Sequence, residues 1–179
     1  MNKKAFLLLC LSVSLLFPTL GLANEDEDFD VQCIVLASIM VDSDTMLDFG
    51  TVVSPAAADA LTIYADGSPQ TWATTDYSTI PGVRSTVVVS GPASQNYQAS
   101  LIDATTTLDD GLGNTITVDT FTVDGGGGEV AFAIDPLTNT FALDAGGAHT
   151  FYIGATANFV GGEIGGTYAG VNTIRVVFP

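Results

Sequence analysis

The sequence predicts an all-β protein built as a sandwich or a barrel, and three observations support this fold class. Short stretches rich in β-branched and aromatic residues recur along the chain. Clusters of Gly, Pro, Asn and Asp interrupt them at short intervals, as is typical of antiparallel strands joined by turns. The sequence holds no amphipathic helical pattern beyond a single candidate turn at residues 55–60. The spacing of the hydrophobic residues along the sequence is therefore that of β-strands.

The chain opens with a pattern typical of an export signal. Lys3 and Lys4 provide positive charge, residues 5–17 are apolar, and residues 21–23 supply the small side chains of a signal-peptidase site. We expect cleavage after Ala23, transit through the periplasm, and a final location at the cell surface or outside the cell. The apolar stretch is too short to span a bilayer and no second one follows, so we expect no transmembrane segment in the mature chain.

The protein is strongly acidic, with a formal net charge of −16 at pH 7. Cleavage would leave Arg84 and Arg175 as the only lysine or arginine side chains against 20 acidic ones. This balance argues against nucleic acid as a partner, because phosphates need clustered cations, and equally against anionic membranes. We interpret the acidity as a means of solubility and of repulsion between the surfaces of different molecules. The alternative is that the acidic side chains bind calcium or a cationic partner. No ordered calcium-ligand spacing is present.

Residues 24–46 are interpreted as an acidic tail followed by a first strand, and residues 47–179 as the sandwich domain. Apolar side chains occupy every odd position from 29 to 41, the alternation of a half-buried strand. Thirteen residues exceed the usual strand length of roughly 3–10, so this stretch is either one long edge strand or two functional halves. Cys33 lies in it and would be the only cysteine of the mature chain, which excludes an intramolecular disulfide.

Nine further strands are predicted in chain order from alternation and β propensity. They cover residues 47–53, 60–64, 84–90, 95–102, 115–123, 129–134, 140–143, 149–160 and 165–179. The pair on either side of Gly91-Pro92 is expected to form a hairpin. Trp72 and Tyr77 fall in a loop between strands.

The last predicted strand carries an apolar face opposite a more polar one, with Arg175 on the polar side. The apolar face consists of Tyr168, Ile174, Val176 and Phe178. Such a strand has to be paired by residues from much earlier in the chain.

No set of residues has the pattern of a catalytic, cofactor or metal site. His149 is the only histidine, and its place at a strand start predicts a surface or turn position. Hydrolases of the serine or cysteine type need a nucleophile, a base and an orienting group, and zinc sites need several His or Cys ligands. Residues 42–44 and 109–111 resemble pieces of a calcium loop, and turn chemistry explains them adequately. We therefore expect a protein that binds or assembles, and not an enzyme.

Three blocks of sequence together resemble a known bacterial family. They are residues 47–52 (LDFGTV), residues 87–101 with VVVSGP, Tyr97 and Leu101, and residues 153–178 with IGATA and GTYAG. The chain resembles the family called domain of unknown function 4402, which is similar in pattern to spore-coat-U-like and archaic chaperone–usher pilin subunits. The resemblance implies an incomplete immunoglobulin-like antiparallel sandwich. Its missing strand would come first from a periplasmic chaperone and then from the N-terminal extension of the next subunit.

For this chain the resemblance implies a structural subunit of a fimbrium, a surface fibre used in cell adhesion, assembled by donor-strand exchange at an outer-membrane usher. The donor face would be Phe29, Val31, Cys33 and Val35. Tyr168, Ile174, Val176 and Phe178 would form the terminal strand that lines the groove. Two alternatives stay open. Residues 29–41 could complete their own domain, or the chain could be a self-complete extracellular module that binds carbohydrate or calcium through residues 72–77 or 109–114.

Overall fold

A computed structural model describes residues 38–179, which form thirteen strands in an all-β arrangement. The strands are β1 (Met40–Thr45), β2 (Thr51–Val52), β3 (Asp59–Ile63), β4 (Thr71–Trp72), β5 (Ser78–Ile80), β6 (Ser85–Ser90), β7 (Asn96–Leu101), β8 (Thr106–Asp109), β9 (Thr115–Asp124), β10 (Val130–Ala131), β11 (Asn139–Ala142), β12 (Ala148–Phe159) and β13 (Ile174–Val177). Across residues 38–179 no helix is long and apolar enough to cross a membrane. The predicted all-β class is confirmed.

The larger sheet has eight strands and is arranged around β12. Tyr152 pairs with both β6 and β9, and Thr156 pairs with both β3 and β9. The strand β9 therefore occupies one edge of β12, while β6 and β3 follow each other along the opposite edge. Beyond them, β1 pairs with β6, β4 pairs with β3, and both β8 and β10 pair with β9.

The smaller sheet has three strands in the order β11-β7-β13. At its centre, Ala99 of β7 pairs with Asn139 on one side and with Val176 on the other. A separate short pair joins β2 to β5. All pairings between named strands are antiparallel, as the short turn-separated segments of the sequence indicate.

The two sheets pack face to face over an aromatic and aliphatic core. Phe141 of the smaller sheet stacks on Phe151 of the larger one, with ring centroids 5.4 Å apart and 3° between the planes. Tyr97 lies 5.6 Å from Phe141 and is fully buried. In β6, the side chains of Ser85, Val87 and Val89 are buried while their neighbours are half-exposed, which is the alternation expected of a strand with one covered face. These contacts make the fold a β-sandwich.

The predicted hairpin across Gly91-Pro92 is wrong. Although β6 and β7 form as predicted, β6 pairs with β1 and β12 while β7 pairs with β11 and β13. Residues 91–95 therefore carry the chain from one sheet to the other. The physical reason is that both strands have an apolar face. When the two strands lie in different sheets, these faces meet across the core and bury each other. Neighbouring strands in one sheet do not cover each other's apolar faces.

Four local predictions also need correction. Residues 42–44, interpreted as a turn, belong to β1, where Asp42 pairs with Val88. The segment 70–80, interpreted as a loop, contains β4 and β5. Of the predicted strand at 47–53, only β2 and a bridge from Asp48 to Val83 are formed. The last strand begins at Ile174 instead of residue 165. Short or solvent-exposed strands such as these lack the one-sided burial that produces alternation.

Candidate functional site

The terminal strand β13 has one paired and one unpaired edge. It pairs with β7, and among residues 38–179 no strand pairs with its other edge. Ile174, Val176 and Phe178 are half-buried and pack against the core, while Arg175 and Val177 are exposed. An edge strand of this kind presents unpaired N–H and C=O groups that are ready to pair with another chain.

The first strand is exposed on both of its faces. Within β1, the side chains from Met40 to Asp44 are exposed, and Met40 is 71 % accessible. The strand pairs only with β6 in the part of the chain that the structure describes. A strand at the edge of a sandwich normally covers the core with one face, so the inner side of β1 lacks a covering layer.

Near β13 a cavity of about 870 Å³ opens into the core. Its walls include residues 46–52 on one side and residues 163–172 on the other. Its floor is apolar and comprises Leu101, Leu108, Ile116, Val118, Phe121, Ile153 and Phe159. The cavity therefore reaches side chains of the core between these two irregular segments. We call this cavity together with the unpaired edge of β13 the groove.

The rim of the groove carries exposed apolar side chains. Met46 is 75 % accessible, Ile164 is 60 % and Val171 is 88 %, and all three line the cavity. Single exposed apolar residues are common on protein surfaces, and these three share the lining of one opening.

Glu163 connects the two walls of the groove. Its carboxylate accepts hydrogen bonds from the backbone N–H groups of Val160 and Gly161, at 2.6 and 2.8 Å, and from the hydroxyl of Ser54, at 2.8 Å. Burial raises the pKa of Glu163, but these hydrogen bonds outweigh it and the net pKa lies below its usual value. The carboxylate therefore links the segment at residues 160–163 to Ser54, which also lines the cavity.

Tyr168 belongs to the same wall. Its hydroxyl donates to the carbonyl of Ile164 at 2.7 Å, and its ring packs against the core. The next residue, Ala169, exchanges two backbone hydrogen bonds with Asp109 at the end of β8. The predicted face thus divides into two parts: Ile174, Val176 and Phe178 lie on or after β13, whereas Tyr168 lies in the irregular wall.

Among residues 38–179, one polar atom in the groove has no hydrogen-bond partner. The hydroxyl of Thr106 at the start of β8 is buried without a hydrogen bond, and Thr106 lines the cavity. The side chain is 8 % accessible. A buried hydroxyl without a partner is costly, so Thr106 lowers the stability of the described sandwich.

His149 is not the surface or turn histidine that its position predicted. Its Nδ1 lies 2.6 Å from the hydroxyl of Tyr97, its Nε2 lies 3.1 Å from the carbonyl oxygen of Gly125, and its ring stacks on Phe141. Burial raises the pKa of Tyr97. Both ring nitrogens are therefore engaged in holding the Gly125 turn against the core, which is a structural role.

The loops considered for sugar or calcium binding use their side chains internally. Trp72 packs against Phe159 and Tyr77, and its Nε1 donates to the hydroxyl of Ser78. Asp110 accepts hydrogen bonds from the side chain and backbone of Asn114 and from the backbone of Leu112. Hydrogen bonding by the Asn114 side chain is the largest cause of the lowered pKa of Asp110, which burial partly opposes. Within residues 38–179 no group of three or more His, Cys, Asp or Glu side chains could hold a metal ion.

Several predictions lie outside the described residues. These are the signal segment at residues 1–23, the acidic tail, and the donor face of Phe29, Val31, Cys33 and Val35. Of the two faces predicted from the sequence, the structure therefore describes only the one that borders the groove.

A protein-family model described as domain of unknown function matches residues 39–178. The chain belongs to the family called domain of unknown function 4402. All thirteen strands, from β1 to β13, lie within the matched residues, so the family model covers the whole sandwich described above. The resemblance to this family inferred from the sequence is confirmed. No curated protein matches the chain significantly.

Proposed function

We propose that this member of the family is an exported structural subunit of a bacterial surface fibre, and that its groove is filled by a β-strand from another polypeptide. The observation that carries the proposal is the unpaired edge of β13 beside an apolar opening into the core. A small molecule could fill the cavity, but it could not pair with a strand edge. An added strand does both, because its backbone pairs with the edge while alternate side chains enter the cavity.

The proposed donor is the N-terminal segment of a neighbouring copy, with Phe29, Val31, Cys33 and Val35 facing the groove. Burying these four side chains contributes about 6–12 kcal/mol, at about 1.5–3 kcal/mol each. Fixing the seven backbone residues from 29 to 35 costs about 7–14 kcal/mol. Because the two terms nearly cancel, hydrogen bonds along β13 and the preformed walls of the groove decide the outcome.

The proposal also includes partners that would act on the groove during export. A subunit whose core is accessible would aggregate before assembly, so the proposal includes a periplasmic chaperone that covers the groove and an outer-membrane usher where subunits are exchanged. The acidic surface supports this scheme, since like charges keep unassembled subunits apart until strand exchange brings specific contacts. Export by the N-terminal signal and a location in a surface fimbrium are parts of the proposal.

The test is a change of charge on the donor face. Val31→Asp with Val35→Asp should abolish polymers of the periplasmically expressed protein, because two carboxylates cannot be buried in an apolar groove. Polymers are detected as a ladder in unboiled gel samples that collapses on boiling, and as fibres by negative-stain microscopy. The matched control is Gln32→Asp with Ile34→Asp, which adds the same charge on the opposite face of the segment and should leave the ladder intact.

Three outcomes decide the question. Loss of polymers in the Val31 and Val35 variant alone supports strand donation. Unchanged polymers in that variant contradict it. A wild-type protein that remains a folded monomer even with its chaperone and usher co-expressed also contradicts it, and favours the self-complete binding module.

A further inference from the structure

The groove has two different ends, and the described chain begins at one of them. A methyl group placed on Gly91 would lie 3.1 Å from the ring of Phe178 and 3.3 Å from the carbonyl oxygen of Ser38. Ser38 and the end of β13 therefore meet at Gly91, which we call the Gly91 end. At the opposite end, which we call the cavity end, β13 begins at Ile174 and the first strand leads into Met46.

The distance between a donor segment and its own sandwich is short. If Val35 is the last donor residue in a neighbour's groove, only residues 36–39 separate it from Met40 at the start of β1. Five residue steps span at most about 18 Å when fully extended. This segment contains no Gly, Pro, Asn or Asp that would favour a sharp reversal. The Gly91 end of the donor subunit must therefore lie directly beside the acceptor's groove.

The direction in which the donor segment inserts decides which end of the acceptor lies beside the Gly91 end of the donor subunit. If the donor segment left the groove at the acceptor's Gly91 end, the Gly91 ends of the two subunits would face each other. The acceptor's own N-terminal segment also emerges at that end. Contacts between identical surfaces close into dimers, whereas contacts between different surfaces propagate as filaments. Filament growth therefore requires the donor to leave at the cavity end.

Both meeting ends expose apolar side chains, and among residues 38–179 neither offers a free cation. Met40 is exposed at the Gly91 end, and Met46, Ile164 and Val171 are exposed at the cavity end. The two arginines of the described chain are engaged elsewhere, since Arg84 stacks on Tyr152 and donates to a carbonyl while Arg175 pairs with Asp135. These two arginines therefore do not supply an ion pair between the ends of two acidic subunits, and the exposed apolar side chains offer the contact instead.

We propose that Met40 of each subunit packs on the rim formed by Met46, Ile164 and Val171 of the next, so that consecutive sandwiches abut. This inference rests on the proposed strand donation and adds a second contact between the same two copies. It gives the exposed apolar rim an occupant distinct from the donor strand, which fills the cavity below it.

The test is a set of charge pairs within one chain. Met40→Glu with Val171→Glu places two carboxylates in the contact and should weaken the association between neighbouring subunits by about tenfold or more, which corresponds to about 1.4 kcal/mol per contact, and so shorten the fibres. Met40→Lys with Val171→Glu replaces the apolar contact by an ion pair and should restore fibre length to within about twofold of wild type. The matched control, Val130→Glu with Leu137→Glu, adds the same charge at exposed apolar positions that do not line the cavity and should leave length unchanged.

Fibre length is measured by negative-stain microscopy after assembly at equal subunit concentration. Equal shortening by the control pair, or no shortening by the Met40 and Val171 glutamates, overturns the rim contact. If the rim variants retain full length while Val31→Asp with Val35→Asp abolishes polymers, the contact fails and strand donation stands. If the Val31 and Val35 variant also polymerises normally, both proposals fail.

Discussion

Replacing Thr106 by Val should stabilise the unassembled subunit. The hydroxyl of Thr106 is buried at the wall of the groove without a hydrogen-bond partner. Valine has nearly the same shape and a higher preference for strands, so the substitution removes the unsatisfied group without leaving a void. An unsatisfied buried polar group costs about 1–3 kcal/mol, and the free energy of unfolding should rise by about that amount.

The assay is urea unfolding of the subunit carrying Val31→Asp and Val35→Asp, which keeps it monomeric under the proposed mechanism. With a slope of about 2 kcal/mol per M, a gain of 2 kcal/mol moves the midpoint by about 1 M. The matched control is Thr62→Val, because the Thr62 hydroxyl lies 2.9 Å from that of Thr156 and is thus satisfied. The control should lose about 1 kcal/mol. A Thr106→Val subunit that is less stable than its parent would refute the reasoning, since its hydroxyl would then have a partner.

Two further predictions concern stability. Gly154→Ala should destabilise the fold by about 1–3 kcal/mol or more in urea unfolding, because a Cβ there would overlap the backbone of Ile63 and Ala65 at the end of β3. Gly127→Ala has open space and should be neutral. The hydrogen bond from the hydroxyl of Thr74 is the largest cause that holds the pKa of Asp59 below its usual 3.8. Burial opposes this shift, and hydrogen bonds from nearby backbone N–H groups add to it. The contribution of Asp59 to stability is therefore complete above pH 3.8 and is lost as the pH falls through the folded-state pKa, so Asp59→Asn should flatten the acid limb of melting temperature against pH. An unchanged acid limb would contradict this assignment.

The sequence predicts strand positions well where one face of a strand is buried. In β6 and β9, alternate side chains enter the core, and both strands lie within a residue or so of the predicted positions. Which strands are neighbours is not predicted, because alternation reports burial and contains no information on the partner. The hairpin across Gly91-Pro92 fails for this reason. The first strand extends beyond its predicted end because β6 offers it an edge, and backbone pairing alone holds its polar residues there.

The candidate site is predictable in part. The parity of Ile174, Val176 and Phe178 indicates a face that packs on the core, and the structure places these side chains there. The cavity is not predictable, because its walls are irregular segments held by contacts distant in sequence, such as the hydrogen bond between Glu163 and Ser54. The available signal is weak. Ile164 and Val171 are apolar residues within a stretch rich in Gly and polar residues, which is unusual for an exposed loop.

The difference between the two sheets links these features. Eight strands in one sheet face three in the other, so the smaller sheet cannot cover the larger one. One additional strand beside β13 would become the fourth strand of the smaller sheet, and its inward side chains would enter the cavity. Under the proposed function, the exposure of both faces of β1 and the unpaired edge of β13 would be consequences of the same missing strand. A ligand in a loop would remedy neither of them, and for this reason strand addition is the function that the fold supports best.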